Sequence, residues 1–276
     1  MSSPAPVAGL PERFDAATAV SRSARATAAA LTLCALSGCA TVASHRAEVE
    51  RTWQAAFVYL PGLPFPGVVL PAQAPPLEPA RPTVLYMHAC TGRGGQEEYW
   101  AQTLAGAGYA VVMPDSFARQ YRRANCDPAT LTLGMFPQAT DFRQEEITYA
   151  LDRLREQPWV DARNLFLMGH SDGGMAAALW PSPGFKGVII SGWTCTYRGN
   201  SIYDGLRTPQ RTPVLAIGFE TDPWFQNTPA SGSCGSLLAR RPRSRLLTLP
   251  GRGHHTDSFK EARHAVLEFL GMLTAR

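Results

Sequence analysis

Residues 164–179 constrain the fold more than any other part of the sequence. An apolar run of strand length at 165–168 leads into Gly-x-Ser-x-Gly at 169–173, and a helix-forming run of small residues follows. This order is typical of a nucleophile elbow, a strand, a sharp turn carrying an exposed serine and then a helix. A Cβ atom at Gly169 or Gly173 would crowd the crossing of strand and helix. An ordinary strand-to-helix turn is the alternative. The choice between the two depends on whether an acid and a histidine follow in the sequence.

Strands and helices alternate through the rest of the chain. Strands are predicted at 84–88, 109–113, 164–168, 187–191, 214–218 and 244–249, and helices at 97–105, 141–157 and 258–273. Two earlier strands, 53–60 and 67–70, are predicted to pair across a proline-rich turn. The alternation predicts an α/β fold in which helices cover both faces of a mostly parallel sheet. Ligands bind such sheets beyond the carboxyl ends of the strands.

Charged residues are interpreted mainly as solvated surface. The helix predicted at 141–157 repeats Ile147, Leu151 and Leu154 at helical spacing, which places its charged residues on the opposite face. Two arginine-rich segments, 119–123 and 240–245, are interpreted as solvated loops, with an anion or lipid-headgroup patch as the alternative. The net charge of +4 is mild and gives no reason to expect a nucleic-acid partner.

A serine nucleophile needs a base and an orienting acid, and candidates for both follow the elbow. Asp222 lies four residues beyond the glycine that ends a predicted strand, and Glu220 is the competing acid. His254 lies between the last strand and the last helix, and His255 is the alternative base. Because the acid and the histidine follow in this order at successive strand ends, Ser171 is the predicted nucleophile.

An oxyanion formed during such an attack needs two preorganised donors. One is expected to be the backbone N–H of Asp172, at the N-terminus of the helix. The other is expected from the loop 88–95 after the first parallel strand, where we assign the N–H of Cys90. His88 and His170 are expected to make structural hydrogen bonds nearby. A rival interpretation makes the Cys90 thiol the nucleophile, although it lacks the elbow context. The chemistry requires no metal and no organic cofactor.

The N-terminal region is typical of an export signal. Arg22 and Arg25 precede the apolar segment 26–36, which is too short to span a bilayer and has the length of a signal-peptide core. It ends in Leu-Ser-Gly-Cys at 36–39, which resembles the bacterial lipobox, in which cleavage leaves a lipidated cysteine, here Cys39, as the first residue. A plain signal peptide is the alternative.

This interpretation sets the expected domain organisation. Residues 1–38 would be the lipoprotein signal peptide, 39–52 a tether and 53–276 the α/β domain. The protein would be exported to the bacterial cell envelope and anchored in the membrane through Cys39, with the periplasmic side expected. Because the leader is unusually long, translation is expected to begin near Val20.

Export also allows disulfides among the cysteines beyond the anchor. These are Cys90, Cys126, Cys195 and Cys234. They lack the paired short spacing of a zinc site. Four cysteines allow three pairings. We predict Cys90–Cys126 and Cys195–Cys234, because each pair would link loops at the same end of the sheet.

The motifs together resemble the α/β-hydrolase fold, and finer features resemble its dienelactone-hydrolase-like branch. The likeness covers about residues 55–273. It rests on residues 169–174, Asp222 and Gly253-His254, and on residues 88–92, 114–117, 218–224 and Cys234. The namesake enzymes use a cysteine nucleophile, whereas this chain has Ser171, which shifts the expectation toward a serine esterase. Ala89 stands where relatives often carry glycine.

The resemblance implies hydrolysis of carboxylic esters or lactones by Ser171, His254 and Asp222. Acyl transfer, peptide cleavage on the same fold, or a non-catalytic envelope-binding lipoprotein are the alternatives. The substrate is expected to be a small ester or lactone, and the oligomeric state is left open. Aromatic residues that wall a pocket, or else pack in the core, are Trp193, Tyr197, Tyr203, Trp224 and Phe225.

Overall fold

The computed structural model describes residues 44–62 and 68–274. The chain divides into two units, Met1–Ala47 and Glu48–Arg276. Of the first unit only residues 44–47 are described, and they are helical. The predicted signal peptide, Cys39 and the start of the tether lie outside the described residues. None of the helices in the described ranges combines the length and hydropathy that a membrane crossing requires.

The second unit is built around an eight-stranded sheet. Its strands are β1 (Phe57–Tyr59), β2 (Val68–Val69), β3 (Arg81–Met87), β4 (Ala110–Met113), β7 (Val160–His170), β8 (Gly187–Ser191), β9 (Val214–Thr221) and β10 (Arg245–Arg252). The strand order is β10-β9-β8-β7-β3-β4-β1-β2. The six strands from β10 to β4 are parallel, and β1 and β2 continue the sheet as antiparallel strands. The predicted mostly parallel sheet is therefore confirmed.

The order of the strands determines where a ligand can bind. From β3 the chain builds the sheet outward to β4, and from β7 it builds in the other direction through β8, β9 and β10. The order thus reverses between β3 and β7. A crevice forms at such a switch point, at the carboxyl ends of the strands. The loop after β3 and the elbow after β7 meet there.

Helices cover both faces of the sheet. They are α1 (48–54 in this unit), α2 (Gly95–Gly106), α3 (Ala139–Leu154), α4 (Asp172–Ala178), α5 (Gly235–Leu238) and α6 (Lys260–Leu273). Side chains alternate across a strand, so neighbours on β7 enter different cores. Leu167 packs in one apolar cluster with residues of α3 and α4, and Phe166 packs in a second cluster with α2 and α6.

The first predicted strand begins too early. Residues 53 and 54 still belong to α1, and β1 starts only at Phe57. Val49 and Trp53 lie four residues apart on α1 and are both buried. Trp53 therefore packs against the domain from one face of a helix and not from a strand. Residues 48–52, part of the expected tether, are also helical, and the Asp115 N–H donates to the Thr52 carbonyl at 3.0 Å.

Two disulfides connect the loops at the carboxyl end of the sheet. Cys90 bonds Cys126, and Cys195 bonds Cys234, as predicted. Cys126 begins the first strand of a small hairpin, β5 (Cys126–Asp127) with β6 (Thr132–Leu133), in the long loop between β4 and α3. Each bridge thereby fixes a loop that lies beside the crevice.

Candidate active site

Ser171 occupies the sharp turn between β7 and α4. Its backbone has φ 56° and ψ −116°, a region that costs a non-glycine residue about 1–3 kcal/mol. The turn is held on both sides, because the Ser171 N–H donates to the Ser191 carbonyl and the Met175 N–H donates to the Ser171 carbonyl, each at 2.9 Å. Such strain is typical of a nucleophile elbow.

The two glycines of the motif are required by close backbone contacts. A Cβ atom at Gly169 would lie 2.1 Å from the Gly173 carbonyl oxygen, and one at Gly173 would lie 2.0 Å from the Met87 carbonyl oxygen. Neither oxygen can move without shifting a strand or a helix. The crowding expected from the sequence is therefore present in the structure.

His254 and Asp222 form a hydrogen-bonded pair. The His254 Nδ1–H donates to Asp222 Oδ2 at 2.7 Å, and the Trp224 N–H donates to the other carboxylate oxygen at 3.0 Å. With Nδ1 engaged in this way, Nε2 is the nitrogen left to act as a base. The imidazole is buried, and its ring centroid lies 5.5 Å from that of Trp224 and 5.7 Å from that of Phe225.

The competing acid and base lie elsewhere. Glu220 is exposed and accepts a hydrogen bond from the Gly251 N–H. His255 is exposed, with its ring stacked 5.7 Å from that of His170. Within the described residues, the Ser171 hydroxyl makes no hydrogen bond to His254, a contact that commonly tightens only when substrate is bound.

The expected oxyanion donors lie at the switch point. Asp172 is the first residue of α4, so its N–H has no acceptor within the helix. Cys90 follows β3 and is buried, with its side chain in the disulfide to Cys126. In the described part of the chain, neither N–H donates a hydrogen bond to protein. The neighbouring Ala89 N–H is occupied, since it donates to Glu97 Oε1 at 3.2 Å.

His88 and His170 make structural hydrogen bonds, as expected. His88 Nε2 accepts from the Ser116 N–H at 3.1 Å, and its Nδ1 lies 2.7 Å from the Ala89 carbonyl. Burial, with a smaller effect of the Arg143 guanidinium, holds the pKa of His88 well below its ordinary value. The His170 Nδ1 lies 3.0 Å from the Ser191 hydroxyl, and burial, then His254 and His255, likewise lowers its pKa well below the ordinary value. Both rings are therefore neutral at pH 7.

A small apolar cavity lies beside Ser171. Its volume is about 20 Å³, roughly the room that one water needs. Four of the five expected aromatic residues line it, whereas Trp224 packs on the His254 ring instead. The four are Trp193, Tyr197, Tyr203 and Phe225. Because Phe225 also packs against His254, the cavity adjoins that histidine.

The sequence interpretation missed a buried ionic cluster behind this site. The solvated arginine face expected at 119–123 is wrong for Arg119 and Arg122, whose side chains are 2% and 0% exposed. Arg119 Nε donates to Glu146 Oε1 at 2.9 Å, and Arg122 Nη2 lies 3.4 Å from Asp172 Oδ2. Burial, then the repulsion of Arg143, lowers the pKa of Arg122 to about 10. In the second arginine-rich segment, Arg241 is buried and donates to the Thr208 and Pro209 carbonyls.

The same correction applies to α3. Arg143 and Glu146 lie on its buried face, together with Ile147 and Leu151, and both charged side chains are 0% exposed. Arg143 lies four residues before Ile147, and Glu146 lies three residues after Arg143 and four before the buried Ala150, so helical spacing places both on that face. This spacing was the available signal, because a charged pair within an apolar stripe needs a partner in the core.

Comparison with known proteins agrees with this architecture. The family model for the dienelactone hydrolase family matches residues 68–265. A search of curated proteins found no match.

No cluster of three or more potential metal-ligating side chains occurs among the residues that the structure describes.

Several solved structures share the fold at low sequence identity. Est1E from Butyrivibrio proteoclasticus with bound ferulic acid has a TM-score of 0.54 and 15% identity, over 80% of this chain and 95% of that chain. An α/β serine hydrolase without a lid from Xanthomonas campestris has a TM-score of 0.52 and 16% identity, over 80% and 90%. Esterase Pf2001 from Pyrococcus furiosus has a TM-score of 0.52 and 14% identity, over 72% and 86%.

The family match covers most of the chain, and the structural neighbours share its α/β-hydrolase fold. The chain belongs to the dienelactone hydrolase family, and it is a hydrolase that acts on ester bonds.

Proposed function

We propose that the protein is a serine hydrolase that cleaves carboxylic esters or lactones with Ser171 as nucleophile, His254 as base and Asp222 as orienting acid. The observation that carries this proposal is the 2.7 Å hydrogen bond between His254 Nδ1 and Asp222, beside a cavity that contains Ser171. A buried imidazole held by a carboxylate in this way exposes Nε2 as the base for a neighbouring hydroxyl.

The proposed reaction has two halves. His254 Nε2 takes the Ser171 hydroxyl proton as Oγ bonds to the substrate carbonyl carbon, and the carbonyl oxygen becomes an oxyanion between the Cys90 and Asp172 N–H groups. The intermediate collapses, the C–O bond to the alcohol breaks, and His254 returns the proton to the leaving alkoxide. Water then attacks the acyl-enzyme with the same proton transfers, releasing the acid and free serine.

The cavity favours a short, uncharged group next to the reacting carbonyl. The Asn125 amide donates to Asp172 Oδ1 at 2.8 Å, and its oxygen accepts from the Phe136 N–H, so these polar lining groups are already paired. An anionic substituent would find no unpaired cation among the described residues that line the cavity. One structural neighbour was solved with ferulic acid, whereas the cavity beside Ser171 has room for about one water, so we expect a smaller acyl group here.

The proposal is tested with a fluorophosphonate probe and a series of nitrophenyl esters. Wild-type protein should be labelled and should hydrolyse the acetate faster than the octanoate. Ser171→Ala should abolish labelling, and His254→Ala should lower turnover about 10³-fold or more. His255→Ala and Glu220→Gln are matched controls that should retain both activities. Labelling that persists in Ser171→Ala would overturn the assignment.

We further propose that the enzyme is exported and anchored through a lipid on Cys39. The two disulfides support an oxidising compartment. Cells expressing the full chain should incorporate radioactive palmitate into the wild type and not into Cys39→Ser, and only the wild type should sediment with membranes. Palmitate incorporation that survives Cys39→Ser would contradict the anchor.

A further inference from the structure

Arg143 contacts both halves of the proposed oxyanion hole. Its Nη2 donates to the His88 carbonyl at 2.9 Å and to the Ala89 carbonyl at 3.2 Å, in the loop after β3. Its Nε donates to Asp172 Oδ2 at 3.3 Å, at the start of α4. The side chain is 0% exposed, so it bridges the two elements from within the protein and does not face the substrate.

The contact with Ala89 helps to fix the first donor, together with the Gly92 N–H at 3.2 Å and His88 Nδ1 at 2.7 Å on the same carbonyl oxygen. The Ala89 carbonyl and the Cys90 N–H belong to one planar peptide group, so fixing the oxygen also fixes the direction in which that N–H points. The Cys90–Cys126 disulfide holds the same residue from its side chain. Rotation of this single peptide plane would change the direction of the donor.

The contact with Asp172 fixes the second donor. The backbone N–H of Asp172 points out of the first turn of α4, while its carboxylate is anchored in the protein. Oδ1 accepts from Asn125 at 2.8 Å, and Oδ2 lies 3.3 Å from Arg143 Nε and 3.4 Å from Arg122 Nη2. These contacts set the position of the residue that carries the donor.

A guanidinium suits this task better than an ammonium would. Arg143 engages acceptors in two directions from different nitrogens, and its planar fork holds them at a fixed separation. The Lys ammonium is a single point charge that cannot reach both from one position. The charge is compensated locally, since Arg143 Nη1 also lies 3.6 Å from Glu146 Oε2.

We propose that Arg143 is a positioning residue that locks the two oxyanion donors, Cys90 N–H and Asp172 N–H, into one geometry by bridging the loop after β3 to the start of α4. This inference rests on the proposed serine-hydrolase function. It assigns Arg143 a role in stabilising the tetrahedral intermediate, with no contact to the substrate itself.

The test compares Arg143→Lys with Arg153→Lys, the same substitution on the same helix at a partly exposed position. Turnover, KM for nitrophenyl acetate, and inhibition by a trifluoromethyl ketone are measured. The ketone forms an adduct with Ser171 whose oxygen occupies the oxyanion hole. Arg143→Lys should lower kcat about 10- to 100-fold and weaken inhibition by the ketone by a similar factor. KM should change less than about threefold. Arg153→Lys should match the wild type.

A second variant keeps the test decisive if Arg143→Lys does not fold. Asp172→Asn preserves the shape of the side chain and removes the negative charge that pairs with Arg143. It should weaken inhibition by the ketone in the same way, and circular dichroism should show that the variant is folded. A folded Arg143→Lys or Asp172→Asn with wild-type kcat and ketone affinity would overturn the inference. If the wild type itself neither hydrolyses esters nor labels at Ser171, the proposed function fails instead.

Discussion

The two disulfides should contribute almost equally to stability and very differently to catalysis. Their sequence separations are 36 and 39 residues. In the chain-entropy model each disulfide stabilises the protein by about 4 kcal/mol, and the two contributions differ by only about 0.1 kcal/mol. Replacing either pair with serines should therefore shift the urea unfolding midpoint by a similar amount.

The activities should separate the two variants. Loss of Cys90–Cys126 releases the residue that carries a proposed oxyanion donor, so kcat should fall about 10- to 100-fold with little change in KM. Cys195 lies between the cavity residues Trp193 and Tyr197, so loss of Cys195–Cys234 should mainly raise KM. Both variants are assayed at a temperature at which each remains folded by circular dichroism.

One result would refute the reasoning. If both double-serine variants lose kcat equally at matched stability, the Cys90 bridge has no specific role at the oxyanion hole. An unchanged kcat in the Cys90→Ser/Cys126→Ser variant would have the same meaning. A large difference in unfolding midpoint would instead show that loop length does not control the contribution of these bridges.

Three further predictions follow from close contacts, buried histidines and the cavity. Gly173→Ala places a Cβ 2.0 Å from a backbone oxygen and should lower the free energy of unfolding in urea by several kcal/mol. Gly106→Ala is the control, because its site has open space and a helical backbone, and it should be neutral or stabilising by up to about 1 kcal/mol. Equal unfolding midpoints for the two variants would contradict this prediction. The pKa values of His88 and His170 are lowered by burial, so below about pH 6.5 the unfolded chain binds protons that the folded chain excludes. Stability should be full above that pH and fall as pH decreases, by up to about 1.4 kcal/mol per pH unit for each histidine, and a flat urea midpoint from pH 7 to 5 would refute it. Met175→Ala enlarges the cavity and should raise kcat/KM for the hexanoate relative to the acetate; an unchanged ratio would place the acyl group elsewhere.

Much of the fold could be predicted because its signals are local. Apolar runs of strand length, separated by helical periodicity, indicated the parallel strands, and the spacing of Gly169 and Gly173 indicated the elbow. The cysteine pairs agree with the strand order, because Cys90 and Cys126 follow the neighbouring strands β3 and β4, and Cys195 and Cys234 follow the neighbouring strands β8 and β9. Trp53 shows where local pattern fails, because its apolar neighbourhood fits a strand and a buried helical face equally well.

The ionic cluster could not be predicted in the same way. An arginine in a loop is usually solvated, and Arg119 and Arg122 differ from exposed arginines only in the partners that tertiary structure brings to them. Those partners, Glu146 and Asp172, lie more than 20 residues further along the chain. Only Arg143 and Glu146 could have been recognised as buried from the sequence, because their spacing places them on the apolar face of α3.

The arrangement of this cluster explains why the residue after Ser171 is an aspartate. Any residue at that position would present the free N–H of the first turn of α4, so the backbone donor alone does not require Asp172. Its carboxylate compensates Arg122 and Arg143, and without it two buried guanidiniums would face each other with Glu146 as the remaining buried anion. Asp172 is thus coupled to Arg143 through charge and to the proposed oxyanion hole through its backbone N–H. A neutral residue at position 172 should therefore lower activity unless the arginines change with it, even though none of the described residues that line the cavity is an arginine.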